Sequence, residues 1–181
     1  MERKRSFLSV KEMVEMALLI SLAIVLDLDG LKISLGSAGG SIGFTMLPLF
    51  ILGYRQGFIK SLIGVGVVYG ITTNLLDGWG FIYYPFDYFV AYGVSISVAS
   101  LFSKFIFESN LSKGYVFLSL SVLLAGFIRM IGHTLSSMIF YEYSLNAALS
   151  YNLIYVGPSI LICLLILIII LPTLKRLNKK F

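Results

Sequence analysis

The sequence predicts an all-α integral membrane protein, a single domain built as a bundle of six transmembrane helices with both termini in the cytoplasm. Three observations carry that expectation. Of the 181 residues, 58% are hydrophobic and only 13% charged, with a mean hydropathy of +0.93. A soluble domain carries about 25% charged residues, so a surface this poor in charge calls for lipid as its solvent. The apolar residues gather into long runs, and backbone polar groups in hydrocarbon must be satisfied within their own segment, so each run is expected to be helical. Finally, the basic residues collect at alternate breaks between the runs.

The first helix is expected over about Val14–Leu28 and the second over about Gly40–Tyr54, both short for a full span. The third covers about Phe58–Leu76 and the fourth about Tyr83–Phe107. The fifth, about Tyr115–Tyr141, and the sixth, about Ala147–Leu174, are long enough to cross with room to spare. The breaks carry ordinary turn chemistry: Gly36–Gly40, Arg55-Gln56-Gly57, Asp77-Gly78, Ser109–Lys113 and Glu142–Asn146.

Charge sets the orientation. Arg3, Lys4, Arg5 and Lys11 precede the first helix, and Arg55 and Lys60 flank the second turn. Lys104 and Lys113 flank the fourth turn, and Lys175, Arg176, Lys179 and Lys180 follow the last helix. Twelve of the fourteen Lys and Arg residues therefore share one side, leaving Lys32 opposite and Arg129 inside the fifth helix. The positive-inside rule places that side in the cytoplasm and requires an even number of spans. No small-residue cleavage site follows the first apolar run, so it reads as a span rather than a signal peptide. Asp27, Asp29, Asp77, Asp87 and Glu142 lie at the outer turns. Either acidic residues avoid the basic side, or they form a field that gathers a cationic solute.

Enzymatic signals are missing. One histidine and one cysteine cannot build a structural zinc site, and there is no Walker-type phosphate loop. No catalytic residue, metal, cofactor or nucleic-acid partner is expected. Polar groups at membrane depth are costly and draw attention instead. In the fifth helix Arg129, His133, Ser137 and Tyr141 recur every four residues, one stripe on one face. The fourth helix opens with Tyr83-Tyr84-Pro85-Phe86-Asp87-Tyr88. An acid among aromatic rings suits a flat organic cation; the alternative is an interfacial belt with Asp87 solvated. Tyr151 and Tyr155 complete such a pocket or belong to the belt, as Trp79 does. Gly66–Gly70 forms a GxxxG and Ala17–Ser21 a small-xxx-small pattern, which either pack helices within the chain or receive a partner helix. Cys163 lies in an apolar run and is expected to pack or face lipid.

Taken in order, these motifs resemble the substrate-binding (S) components of energy-coupling factor vitamin transporters, most closely the thiamine-specific family. The stretch around Glu15-Met16-Ala17 is similar to that family's first helix, and Gly39-Gly40-Ser41-Ile42 with Arg55-Gln56-Gly57 to its second helix and turn. Asp87-Tyr88-Phe89-Val90-Ala91, Arg129-x-x-x-His133 with Phe140-Tyr141, and Tyr151-Asn152-Leu153 match the later helices. The resemblance implies a vitamin pocket opening outward between helices four to six, capped by the loop between helices one and two. It implies association with a transmembrane coupling subunit, docked on Ala17 and Ser21, and with two ATPase subunits. Site roles then fall on Asp87 as the counter-charge, with His133, Tyr141 and Tyr151 around the ligand; Tyr84, in the aromatic cluster beside Asp87, is expected to join them from the sequence alone. Asp87 is shorter than the family's usual glutamate, Tyr141 replaces a frequent tryptophan, and Val156 a common asparagine. A pyridoxine-type vitamin or a thiamine precursor is the alternative ligand, and a scaffold without a small ligand the alternative class.

Overall fold

The computed structural model describes residues 8–35 and 40–178. Arg3, Lys4, Arg5, Gly39, Lys179, Lys180 and most of the expected Gly36–Gly40 break lie outside them. Helix α1 (Val10–Leu26) starts on a reciprocal cap: the Ser9 hydroxyl accepts from the Glu12 N–H, while the Glu12 carboxylate accepts from the Ser9 N–H. Two donors that a helix start leaves without intrahelical partners are thereby satisfied. Glu12 also pairs with Lys60, and Glu15 with Arg55, tying this end of α1 to the turn between the next two helices. Lys60, helped by the Ser9 cap, holds the Glu12 carboxyl down to about 2.

A small antiparallel hairpin follows, β1 (Ile33–Ser34) against β2 (Ser41–Ile42), in the register Ile33 to Ile42 and Ser34 to Ser41. Helix α2 (Met46–Gln56) therefore begins six residues later than the sequence suggested, because Ser41 and Ile42 are used for strand pairing. Gly57, at φ 78°, turns the chain directly into α3 (Phe58–Asp77), a conformation in which a Cβ is strained. Helix α3 widens into π-helical turns over Leu62–Tyr69 and stops at Gly78.

After a 3₁₀ turn at Phe81–Tyr83, α4 runs over residues 84–100, π-helical across Tyr84–Val94 and α-helical across Ser95–Ser100. The expected single helix Tyr83–Phe107 is broken near its end. The N–H groups of Leu101 and Phe102 bond three residues back, to Val98 and Ala99, and that tightened turn redirects the chain into α5 (Ser103–Glu108). Helix α6 (Leu111–Phe140) is capped by the Asn110 side chain, and α7 (Leu145–Asn178) carries Pro158 and Pro172 within it.

Close backbone approach governs the packing. A Cβ on Gly93 would sit 2.4 Å from the Gly66 Cα, so the π-helical stretches of α3 and α4 cross glycine on glycine. A Cβ on Gly132 would lie 2.7 Å from the Phe86 carbonyl oxygen, which presses α6 against α4. The GxxxG glycine Gly66 thus serves contacts within the chain. Phe50, Leu49, Tyr69, Ile96, Leu118, Val122 and Cys163 fill the interior. Among the described residues three helices, Phe58–Asp77, Leu111–Phe140 and Leu145–Leu177, are long and apolar enough to cross a membrane. On α7 the apolar face is left uncovered: Leu153, Leu161, Leu165 and Ile169 are each more than half exposed. A stripe of that size is unstable in water and at home in lipid, and the chain is a multi-pass membrane protein.

Candidate functional site

At the end of the bundle that carries the hairpin, a cavity of about 440 Å³ opens between α1, the hairpin, α3, α4, α6 and α7. Its wall holds four carboxylates, Asp27, Asp29, Asp77 and Asp87, against two fixed cations, Lys32 and Arg129. The acidic residues placed at the outer turns by sequence, Glu142 excepted, therefore converge on one concave surface. Three of them are already engaged, Asp87 by His133 and Ser136. Asp27 meets Lys32 at 3.4 Å and accepts from the Thr45 hydroxyl, and Asp77 accepts from the Tyr88 hydroxyl at 2.7 Å.

Asp87 stands where α4 and α6 come closest. Its Oδ1 lies 2.7 Å from His133 Nδ1, and its Oδ2 accepts from the Ser136 hydroxyl. His133 and Ser136, three residues apart, project from the same side of α6. Behind the histidine, the buried Arg129 donates through Nε to His133 Nε2 at 3.3 Å and through a terminal nitrogen to the Tyr92 hydroxyl at 2.9 Å. Its guanidinium also lies 4.7 Å from the centre of the Tyr92 ring. The His133 ring meets Tyr92 and Tyr155 edge to face. Asn152 of α7 accepts from the Tyr155 hydroxyl at 2.7 Å and donates to Ser137 and Thr134.

Aromatic rings close the mouth. Tyr141 stacks on Tyr83, Tyr143 bridges Tyr141 and Tyr151, and Tyr151 packs on Tyr155. A cavity walled by ring faces and by more carboxylates than fixed cations attracts positive charge. A carboxylate has lone pairs beyond the two used at Asp87, so it can still accept from, or neutralise, a cationic ligand.

A family model described as "Thiamine transporter protein (Thia_YuaJ)" matches residues 13–180. The chain belongs to this family. Thiamine transporter ThiT of Bacillus subtilis (strain 168) is 28% identical over 184 residues, spanning 93% of this chain and 94% of that protein. A solved structure of ThiT from Listeria monocytogenes superposes with a TM-score of 0.73 at 21% identity, covering 91% of this chain and 94% of that one. That likeness shows a shared fold.

Within this member of the thiamine transporter family, Asp87, His133, Tyr141 and Tyr151 come together on one cavity wall. Tyr84 does not join them. Its hydroxyl donates to the Gly66 carbonyl at 2.9 Å and its ring stacks on Phe81, on the side of α4 that meets α3. The cause is the π-helical winding. At the roughly 100° per residue of an α-helix, Tyr84 falls between Asp87 and Tyr88. The slower turn of an i→i+5 helix swings Tyr84 away and brings Tyr92, five residues beyond Asp87, onto the same face. Sequence reading missed Tyr92, Ser136 and Asn152 as site residues. For Ser136 the i, i+3 spacing from His133 was the available signal, and for Tyr92 the i, i+4 spacing from Tyr88. Ala17 and Ser21 lie outside the cavity, exposed on the surface of α1.

Proposed function

We propose that this chain is the substrate-binding subunit of an energy-coupling factor transporter and captures thiamine from outside the cell for ATP-driven uptake. The observation that carries this reading is Asp87: a carboxylate oriented by His133 and Ser136, 23% exposed, on an aromatic cavity wall. Thiamine pairs a permanently cationic thiazolium with a flat aminopyrimidine, which are the two features such a wall receives. The thiazolium charge sits against Asp87, Tyr141 and Tyr151 cover the ring faces, and His133 borders the ligand. Tyr84 supports the wall by packing on α3.

Six spans in one domain, with both termini cytoplasmic, complete the reading. The distribution of basic residues supports it, because Lys32, Trp79 and Asp87 then open outward while Lys60, Lys113 and Lys175 face the cytoplasm. The exposed small residues Ala17 and Ser21 form the face on which a transmembrane coupling subunit docks, and two separate ATPase subunits supply the energy. Affinity purification from cells that hold the whole transporter tests this class. ATPase subunits should co-purify with the chain, and the chain alone should bind thiamine. A chain that brings down no ATPase and binds no vitamin is a scaffold instead.

A further inference from the structure

Three groups around His133 restrict where its proton can be. Arg129 Nε–H is 3.3 Å from His133 Nε2, and a guanidinium only donates. Nε2 must therefore present its lone pair. A neutral imidazole then carries its hydrogen on Nδ1, where the acceptor Asp87 Oδ1 waits at 2.7 Å. The other tautomer sets N–H against N–H at Arg129 and a lone pair against a carboxylate at Asp87. The doubly protonated ring again sets N–H against N–H at Arg129. The remaining faces of the ring meet the rings of Tyr92 and Tyr155, which offer it no charge. Arg129 is itself held from α4 by the Tyr92 hydroxyl and ring.

We infer that Arg129 is a positioning residue: it fixes His133 as the neutral Nδ1–H tautomer, so that Asp87 is oriented by the histidine without being neutralised by it. The function of the arrangement is to keep a full negative charge available for a cationic ligand, and in that respect it rests on the thiamine-capture reading above. Without Arg129 the imidazole is free to become a cation beside Asp87, forming an internal ion pair that competes with the ligand. A simple charge argument predicts the opposite, since deleting a cavity cation should strengthen cation binding.

The chain contains one histidine, so ¹⁵N-histidine labelling of the purified full-length protein gives the signals of this ring alone. In ligand-free wild type at neutral pH, Nδ1 should appear protonated and Nε2 unprotonated, with Nε2 correlated to an arginine Nε–H. In Arg129→Met, where Asp87 still accepts from Nδ1, Nε2 should gain a proton and the ring should appear as the imidazolium, and in Arg129→Lys, which keeps a donor, the wild-type pattern should persist. Thiamine affinity should fall about tenfold in Arg129→Met and recover in Arg129→Lys. A wild-type ring protonated on Nε2 overturns the assignment, and that spectrum needs no variant to fold. An unchanged tautomer in Arg129→Met, or tighter thiamine binding there, overturns it equally. Because the tautomer is read without ligand, its outcome is separate from whether thiamine is the substrate.

Discussion

Asp87→Asn removes one charge and keeps the shape. In the wild type the carboxylate accepts from His133 Nδ1 and from Ser136. The amide still accepts from one of them and turns an NH₂ toward the other; Ser136 adapts by rotating its hydroxyl, so the local cost is about 1 kcal/mol. The larger loss appears when a cation binds. A unit charge about 4 Å from the carboxylate, at an effective dielectric of about 20, interacts by about 4 kcal/mol. Partial exposure of Asp87, 23%, keeps the net effect in the range of about 2–5 kcal/mol measured for partly buried charge pairs. Thiamine affinity should therefore drop roughly 30-fold to several thousandfold, whereas a neutral analogue without the thiazolium charge should lose no more than about tenfold. Calorimetry on purified, folded wild type and Asp87→Asn measures both, with Ile169→Val, on the exposed face of α7 and outside the cavity, as the control that leaves binding unchanged. Equal thiamine affinity in wild type and Asp87→Asn would refute the counter-charge argument, and equal losses for both ligands would reduce Asp87 to a neutral hydrogen-bonding group.

Three further outcomes follow from the same structure. Single cysteines at positions 32, 79 and 142, in a Cys163→Ala background, should react with an impermeant thiol reagent on intact cells, and cysteines at positions 4 and 179 should not; the reverse pattern would invert the orientation. Ala17→Trp should abolish co-purification with the coupling and ATPase subunits while thiamine binding survives, because a bulky ring blocks close helix approach; retained co-purification would assign that face to lipid. Gly93→Ala places a methyl group 2.4 Å from the Gly66 Cα, so the two helices must separate. The overpacking should destabilise the chain by about 1–3 kcal/mol, read as a lowered midpoint of thermal unfolding in detergent, and an unchanged midpoint would show that the crossing is looser than described.

The apolar runs made the helices legible, since in hydrocarbon an apolar segment has few other ways to satisfy its backbone. Their ends were less so. Gly40–Thr45 reads as the start of a helix until Ser41 and Ile42 are seen to pair with Ile33 and Ser34, a non-local contact that no run of hydrophobicity encodes. The break at Leu101–Phe102 lies in a stretch without glycine or proline and left no turn signal. At the site, the stripe Arg129–His133–Ser137–Tyr141 was visible because α6 is a regular α-helix. Tyr84 was grouped with Asp87 on α-helical spacing, whereas α4 winds more slowly there, and Tyr92 was overlooked although it stands four residues beyond Tyr88. The shared outer side of Asp27, Asp77 and Asp87 was legible, but their meeting on one cavity wall was not, because each comes from a different segment and only the packing brings them together.

The central claim, that the cavity takes up thiamine, is tested most directly by titrating the purified chain with a panel of vitamins. Trp79 is the only tryptophan and lines the cavity, so its emission reports what enters, and calorimetry on the same samples gives the stoichiometry. Thiamine should quench the emission saturably and bind one molecule per chain, while pyridoxine at the same concentrations should produce neither signal nor heat. Saturable binding of pyridoxine, with thiamine silent in both measurements, would contradict the account.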